Sequence, residues 1–322
     1  MEFRFSRSVL TDFDVDVVHV LDSHLETLLG TKHAGPVQRV LAVRALTRNL
    51  RKHGIALVRT LTGLPTDEPA SRASSLARRM LDKSTTAFVV FHPSTPTPDP
   101  ARTTVIPHAH YGERFKGYPR AESVAGLVLC IARGRLPGAA VGLVGIPRAT
   151  RTADVAVRFA GEADERLEQV IRSGAALYPA SVSMRLQRLS DGARVQEISA
   201  AELVIVPEVG SMTDLQTIFL ALTLNRPVLT ARSRQTAVLA EEVGPEWVHL
   251  TDGLITAASV DEALAVLRER PEGSRPGLEG RDLQAVNARY AAVFRAVGQS
   301  VRGRVRLPAE TGCVDGIGLG TK

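Results

Sequence analysis

A strand–loop–helix segment in the C-terminal half of the chain carries residue types that bind an anion. An apolar run ends at Val206, and glycine and hydroxyl residues follow just before an amphipathic helix. The first N–H groups of a helix have no intrahelical partner and attract negative charge. We therefore predict that Gly210, Ser211, Met212 and Thr213 present N–H and hydroxyl groups to a bound anion. The alternative is that Ser211 and Thr213 only cap the helix.

Two histidines, His108 and His110, flank Ala109 in a segment that we place at the crossing between two domains. Alternate residues of an extended segment point to the same side, so both rings can face an interdomain cleft. A histidine in that position can contact a phosphate or donate a proton, and the alternative is a polar plug at a hinge. The pair lacks a third ligand at metal-binding spacing, so we expect no metal.

Strands and amphipathic helices alternate along the chain, which predicts parallel sheets covered by helices on both faces. Four predicted strands lie before Tyr118 and six lie after it. We expect an α/β fold of two Rossmann-like, doubly wound domains that face a cleft at the carboxyl ends of their strands. The predicted domains are residues 1–118 and 119–280, followed by a C-terminal helix that packs back and a flexible tail (281–322). The last two predicted helices of the chain cover residues 260–268 and 283–297.

Composition limits the classes of protein that fit. The length of 322 residues suits two domains, and the aromatic content of 4% argues against stacking platforms for single-stranded nucleic acid or polysaccharide. Cys130 lies in an apolar strand and Cys313 in a glycine-rich tail. Because they form no disulfide framework, we expect a reducing compartment. Residues 1–10 lack the continuous apolar core that a signal peptide needs, and no apolar run reaches the ~18 residues of a membrane helix. We therefore expect a cytoplasmic protein, soluble or peripheral at the inner face of the membrane.

A basic helix is predicted over residues 36–52, within a chain of net charge +6. Its apolar positions are three and four apart, and three basic residues repeat every four positions on roughly the opposite face. These are Arg44, Arg48 and Lys52. Two interpretations stay open for this basic stripe, a solvated helix face or attraction to an anionic membrane surface. We expect no nucleic-acid partner, because no helix-turn-helix, zinc-finger or ribonucleoprotein motif is present.

Two nucleotide-binding signatures are missing. No GxGxxG follows a strand early in either half, which argues against a dinucleotide-dependent oxidoreductase. A Walker-type phosphate loop is also absent, since the terminal GIGLGTK has no helix after it.

Six segments instead match, in order and spacing, the motifs of one enzyme family. They are DVVH (16–19), VIPHAHYGERF (105–115), LCIARGR (129–135), ELVIVPEVGSMTD (202–214), LALTLNRPVL (220–229) and VGPEWV (243–248). Through them the chain resembles GT-B fold glycosyltransferases of bacterial polysaccharide type, which transfer mannosyl or hexosyl groups. The resemblance extends over residues 14–266.

The resemblance implies a hexosyltransferase that moves a sugar from a nucleotide-sugar, GDP-mannose or a UDP-hexose, to a saccharide or lipid-linked acceptor. It implies no metal and no cofactor besides this co-substrate. Typical members have a further strand before the motif at residues 16–19, so we expect the N-terminal domain to be abbreviated. A second interpretation therefore stays open, a non-catalytic glycosyltransferase-like protein that binds a nucleotide-sugar or supports an active partner. A homo-oligomer also stays open.

The resemblance assigns several residues to the donor. In metal-independent GT-B enzymes basic side chains and helix N-termini offset the charge of the departing diphosphate, and Arg133 and Arg135 match this role. Glu208 matches the first of two glutamates found eight positions apart in retaining families, and the second position is Gln216. Glutamine can still bond a ribose hydroxyl, but the missing charge weakens assignment to the retaining branch. We also assign His110 to donor binding.

Catalytic candidates come from the acceptor side and the crossing. An inverting transfer needs a general base near the acceptor hydroxyl. Asp22 and His24, just past the first predicted strand, are candidates for this base, and His108 is a third catalytic candidate. The alternative is that Asp22 and His24 are ordinary polar residues of a short loop.

Overall fold

The computed structural model describes residues 15–22, 35–63, 72–134 and 139–302. Within these ranges the chain forms two parallel sheets, one of four strands and one of six. The predicted α/β class is therefore confirmed. The two sheets lie on either side of residue 118, and the domain boundary at that residue stays a prediction.

The four-stranded sheet forms the acceptor half, a name we use for residues 15–105 together with the last helix. Its strands, in sheet order, are β1 (Val17–Leu21), β2 (Ala56–Leu61), β3 (Ala87–Val90) and β4 (Thr103–Val105), each parallel to its neighbour. Helix α1 (Pro36–Lys52) lies between β1 and β2 in the chain, and α2 (Arg72–Ser84) lies between β2 and β3.

The six-stranded sheet forms the donor half. Its strands are β5 (Leu127–Gly134), β6 (Ala156–Ala163), β7 (Val182–Arg185), β8 (Leu203–Val206), β9 (Val228–Ala231) and β10 (Val248–Thr251). Their order in the sheet is β10-β9-β8-β5-β6-β7, so the chain starts in the middle and winds outwards in both directions. In such a sheet a crevice opens outside the carboxyl ends of the two central strands, here β5 and β8.

Seven helices accompany and follow these strands. They are α3 (Ala139–Ala149), α4 (Glu165–Leu177), α5 (Asp191–Ala200), α6 (Met212–Thr223), α7 (Arg234–Val243), α8 (Ala257–Glu269) and α9 (Leu283–Arg302). None of the helices in the described ranges is both long enough and apolar enough to span a bilayer.

The donor half covers both faces of its sheet with its own helices. Strand β8 is buried throughout, and its side chains alternate between two cores. Leu203 and Ile205 pack into one core with α3, α4 and α8, while Val204 and Val206 pack into the other with α5, α6 and α7. Burial on both faces explains why this strand is an uninterrupted apolar run in the sequence.

The acceptor half covers its two faces from different parts of the chain. On one face Leu57 of β2 packs with Leu46 of α1 and Leu81 of α2. On the other face Val58 of β2 packs with Val286 of α9. The C-terminal helix thus returns to close the N-terminal sheet.

The sequence predicts every strand, and the differences lie at the ends of elements. Helix α8 begins at Ala257 rather than at residue 260, because Thr256 caps it and accepts a hydrogen bond from the Ser259 N–H. Helix α9 ends at Arg302 rather than at residue 297. Strand β6 continues to Ala163, next to Asp164, which caps α4 by accepting from the Leu167 N–H at 2.8 Å.

Candidate active site between the two sheets

Residues that follow the carboxyl ends of strands in both sheets line one pocket. The four-stranded sheet contributes Thr62, Phe91, His92 and His108, and the donor half contributes residues of α6 and α7 together with Arg281. The cavity volume is about 40 Å³. Since ligand pockets measure roughly 300–1,000 Å³, this cavity is only the floor of a site. A sugar-sized ligand would also need the open part of the cleft above it.

His108 lies in this floor in a defined orientation. Its ring stacks on Phe219 with 4.9 Å between the ring centroids and an interplanar angle of 3°. Its Nδ1 lies 2.7 Å from the Ala109 carbonyl oxygen, which can only accept, so Nδ1 carries a proton. Burial lowers the pKa of His108 below its ordinary value. The ring is therefore neutral at pH 7 and Nε2 has a free lone pair, which favours accepting a proton over donating one.

His92 lines the same pocket with the opposite hydrogen-bonding pattern. Its Nδ1 accepts from the Ser94 N–H at 3.0 Å, so a neutral ring carries its proton on Nε2. Burial, and next the charge of Arg234, lower the pKa of His92. The pocket floor thus combines one histidine that can donate through Nε2 with one that can accept through Nε2.

Arg281 joins the crossing segment to the donor half. Its guanidinium is bidentate to Glu242 of α7, with Nε to Oε1 at 2.6 Å and Nη2 to Oε2 at 2.5 Å. Nη1 donates to the His108 carbonyl at 3.0 Å, and the Arg281 carbonyl accepts from the His110 N–H at 2.8 Å. The Arg281 side chain is only 7% exposed, so this ion pair fixes the backbone on both sides of Ala109.

One hydrogen bond crosses the cleft directly. Gln235 of α7 donates from Nε2 to the Thr62 carbonyl at 3.1 Å. The next residue, Gly63, has φ of +69°, and a Cβ built there would lie 2.4 Å from Gln235 Nε2. Only glycine accommodates both that backbone conformation and that approach.

The predicted anion-binding loop is present, and its N–H groups are partly occupied. The Asp214 carboxylate accepts from the Ser211 N–H at 2.8 Å, the Ser211 hydroxyl at 2.7 Å and the Gly210 N–H at 3.2 Å. Ser211 also caps α6. Met212 and Thr213 occupy the first helical positions, whose N–H groups have no intrahelical partner. The structure therefore shows the capping role of Ser211, and an anion at Met212 and Thr213 stays a prediction.

Three of the predicted donor residues lie on or after the two central strands, β5 and β8. Arg133 is the penultimate residue of β5, and its backbone pairs with Glu162 of β6. Glu208 follows β8 and is exposed, as is Gln216 on α6. The Arg133 side chain and all of Arg135 lie outside what the structure describes, so their roles stay predictions, as do those of Glu208 and Gln216.

On the acceptor side, Asp22 is held in a buried ion pair. Arg59 of β2 is 3% exposed and contacts Asp22 Oδ1 through Nη2 at 2.6 Å and Asp82 Oδ1 through Nη1 at 2.6 Å. Asp22 is thus needed to compensate a buried charge, which favours a structural role over that of a general base. His24 lies outside the described residues.

The expectation that both crossing histidines face the cleft is only half met. His110 does not line the pocket, and its Nδ1 accepts from the Gly112 N–H at 3.0 Å. The alternation rule requires extended strand backbone, but β4 ends at Val105. Its assignment to donor binding stays a prediction.

Sequence reasoning missed several residues of the pocket. His92 has a usable signal, because it follows a strand at the same sheet edge as Asp22. Arg281 and Glu242 have none, since one lies between two predicted helices and the other on an ordinary helix. Among the described residues no group of three or more His, Cys, Asp or Glu side chains is arranged to hold a metal ion.

Solved structures identify the fold. HepE from Anabaena, in complex with UDP, superposes with a TM-score of 0.58 at 12% identity, over 92% of this chain and 80% of HepE. The lipopolysaccharide outer core galactosyltransferase WaaB, in its apo form, superposes with a TM-score of 0.52 at 10% identity, over 87% and 75% of the two chains. The chain therefore has the GT-B fold.

Sequence relatives identify the class of enzyme. No protein-family model matches the sequence. Two curated relatives from Xanthomonas campestris pv. campestris, both named GDP-mannose:glycolipid 4-beta-D-mannosyltransferase, are 28% and 27% identical over 298 residues. These residues are 92% of this chain and 84% of each relative. The chain is thus a GT-B type glycosyltransferase, and the resemblance seen in its motifs is confirmed.

Proposed function

We propose that this enzyme transfers mannose from GDP-mannose to the saccharide of a glycolipid, at the surface of an anionic membrane and without a bound metal. The observation that carries the proposal is the similarity over 92% of the chain to two relatives named for one reaction. A similarity of that extent includes both sheets, and therefore both sides of the cleft.

On the donor side, we assign the diphosphate to the crevice between β5 and β8. The loop after β8 and the end of β5 meet at the crevice where doubly wound sheets bind nucleotides. Met212 and Thr213 begin helix α6 there. Their N–H groups lie at the positive end of the helix dipole, which favours an anion. Asp214 keeps the loop in this conformation through its bonds to Gly210 and Ser211.

The arrangement supports an inverting reaction. The relatives are named for a β-linked product, and an α-configured nucleotide-mannose gives a β-linkage only with inversion, which requires a base on the acceptor hydroxyl. Neutral His108, with Nε2 free to accept a proton, suits that role better than Asp22 does. Gln216 also favours inversion, because retaining families have a glutamate at this position.

Helix α1 supports a location at a membrane surface. Its exposed face begins with Val37 and Leu41, which are 69% and 57% exposed. The same face continues with the basic stripe, whose three side chains are all exposed. An apolar patch beside a row of cations is the pattern by which a helix lies on an anionic bilayer.

The first experiment measures thermal stabilisation by GDP-, UDP- and dTDP-sugars. A ligand that binds only the folded protein at 100 times its Kd adds roughly 2.7 kcal/mol of stability. We expect GDP-mannose to stabilise the wild type and to lose this effect in Arg133→Ala and Glu208→Ala. Arg166→Ala and Glu262→Ala, which change the same charges at exposed positions on α4 and α8, are the controls. Stabilisation by none of the sugars would end the proposal.

Two further measurements address the membrane location and the metal. Flotation with phosphatidylglycerol vesicles at low salt should recover the protein, and Leu41→Asp with Arg44→Ala should reduce the recovery.

Transfer of mannose to a lipid-linked saccharide should survive excess EDTA. Activity that disappears with EDTA and returns with a divalent cation would contradict the metal-free part of the proposal.

A further inference from the structure

A second pocket lies at the opposite edge of the acceptor half from the cleft. Its cavity volume is about 360 Å³, which is within the roughly 300–1,000 Å³ of small-molecule sites. Ile55 and Thr86, which precede β2 and β3, place it at the amino ends of these strands. Val301 of α9 forms part of its wall. We call this cavity the basal pocket.

The lining of the basal pocket is positively charged. Arg51 at the end of α1, Lys83 at the end of α2 and Arg102 before β4 all line it, and none of the described residues of the lining is a carboxylate. Arg102 is paired with Asp99 through Nε at 2.7 Å, whereas no ion pair within the described ranges involves Arg51 or Lys83. Like charges around one cavity repel each other unless an anion is shared between them.

Two helices end at this pocket, and a helix C-terminus by itself disfavours an anion. Several of their terminal carbonyls are, however, already hydrogen-bonded. For α1, the carbonyls of residues 49, 50 and 51 accept from the N–H groups of residues 53, 55 and 54 respectively. For α2, the Leu81 carbonyl accepts from both the N–H and the hydroxyl of Thr85. The side-chain cations therefore dominate the field in the cavity.

The pocket also offers neutral donors. The Thr86 hydroxyl accepts from the Leu57 N–H at 3.2 Å, so its own proton is free to be donated. Ser84 supplies a second hydroxyl to the lining. Cations combined with hydroxyl donors form the set that recognises phosphate oxygens.

We propose that the basal pocket binds a phosphate group, from the headgroup of an anionic lipid or from a soluble phosphate ester. The pocket is separate from the donor crevice, and the proposal does not depend on which sugar the enzyme transfers. Because Arg51 lies on the same helix as the basic stripe, a lipid bound there would fix the distance between the membrane and the cleft.

The test compares two double variants with the same loss of charge. Arg51→Ala/Lys83→Ala removes two cations from the pocket. Arg72→Ala/Arg79→Ala removes two exposed cations from α2, outside both the lining and the basic stripe. Binding of glycerol phosphate is measured by calorimetry on protein saturated with GDP, which occupies the donor crevice. We expect the Kd to rise roughly tenfold or more in the pocket variant and less than about twofold in the control.

Vesicles distinguish the two sources of phosphate. If the ligand is a lipid headgroup, the pocket variant loses more affinity for phosphatidylglycerol vesicles than the control does. If the ligand is a soluble ester, the two variants lose vesicle affinity equally while only the pocket variant loses glycerol phosphate. Equal behaviour of both variants in both assays overturns the proposal. Circular dichroism spectra and melting temperatures of the two variants exclude a folding defect as the cause of a difference.

Discussion

The two halves of the molecule differ in how they complete their cores. The donor half surrounds a six-stranded sheet with six helices of its own, three in each core. The acceptor half has α1 and α2 on one face, and its other face is covered by α9 from the far end of the described chain. The donor half is therefore self-contained, whereas the acceptor half depends on a helix that arrives after the donor half is complete.

This difference bears on how the cleft is held together. The segment leading to α9 contains Arg281, which binds the crossing segment and α7 at the same time. The chain passes between the halves twice, and Arg281 ties the two passages together. The orientation of His108 therefore depends on both halves, while the anion-binding loop before α6 depends on one.

Removal of α9 should have the largest effect. A chain that stops after residue 282 loses the apolar side chains that cover Val58 and Val89, including Tyr290 and Phe294. At roughly 1.5–3 kcal/mol for each large apolar side chain, this loss is on the order of 10 kcal/mol, comparable to the whole stability of a domain. Hydrogen exchange should show β1–β4 unprotected and β5–β10 still protected.

The matched control for this truncation is a chain that stops after residue 302 and keeps α9. It should have the exchange pattern of the full-length protein. Protection of β2 in the chain that lacks α9 would show that the acceptor half does not need it.

Much of this architecture is readable from the sequence, because the strands of both sheets are apolar runs with clear breaks. The end of β8 at Val206 is predicted correctly, since a short, β-branched apolar run that stops before Pro207 favours a strand buried on both faces. The contact between α9 and the first sheet cannot be assigned to particular residues in this way. An amphipathic pattern shows that a helix has an apolar face, but not which sheet that face covers.

The site shows the same limit. Residues just after strand ends, such as Asp22 and Glu208, can be listed from the sequence because parallel strands share an edge. Which of them act on a ligand depends on partners far along the chain. Arg59 takes Asp22 into an ion pair, and Arg281 with Phe219 orients His108. No local pattern predicts these long-range contacts.

His108→Gln should have the next largest effect. Loss of a general base lowers kcat/KM by roughly 10²–10⁴-fold. The stabilisation of the protein by GDP-mannose should be nearly unchanged, because the donor loop lies within the other half. Kinetics and thermal shift on the same preparation check both parts. A variant that loses donor binding together with activity would place His108 in the donor site instead.

Glu242→Ala should destabilise the joint between the halves. The substitution leaves the Arg281 guanidinium buried without its carboxylate. We expect the free energy of unfolding to fall by about 2–4 kcal/mol. This is at or below the usual cost of breaking a buried ion pair, because Glu242 is partly exposed. Asp252→Ala is the matched control. Asp252 is 80% exposed in its ion pair with Arg232, so its loss should be under about 1 kcal/mol. Urea denaturation measures both, and equal losses would contradict the distinction.

Acid should lower the stability of the folded protein through the two histidines of the pocket floor. The pKa values of His92 and His108 are lowered in the folded protein, mainly by burial. Their unfolded values lie near 6.5. Below that pH the unfolded chain binds protons that the folded chain does not, so stability falls by at most about 1.4 kcal/mol per pH unit for each ring. The melting temperature of His92→Gln/His108→Gln should therefore decrease less than that of the wild type between pH 7.5 and 5. Parallel curves would show that other groups are responsible.

The smallest expected effect concerns Cys130, which should not react with iodoacetamide while the donor half is folded. This thiol is fully buried in β5, and burial raises its pKa to about 12. Reaction with iodoacetamide needs an accessible thiolate, so a Cys313→Ser chain should stay unlabelled at pH 8 until the donor half unfolds. The chains that stop at residues 302 and 282 need no substitution, because both end before Cys313. Continued protection of Cys130 in the shorter chain, where β1–β4 have lost theirs, would establish that the donor half folds alone. Labelling at the rate of the unfolded protein would show that the two halves fold as one unit.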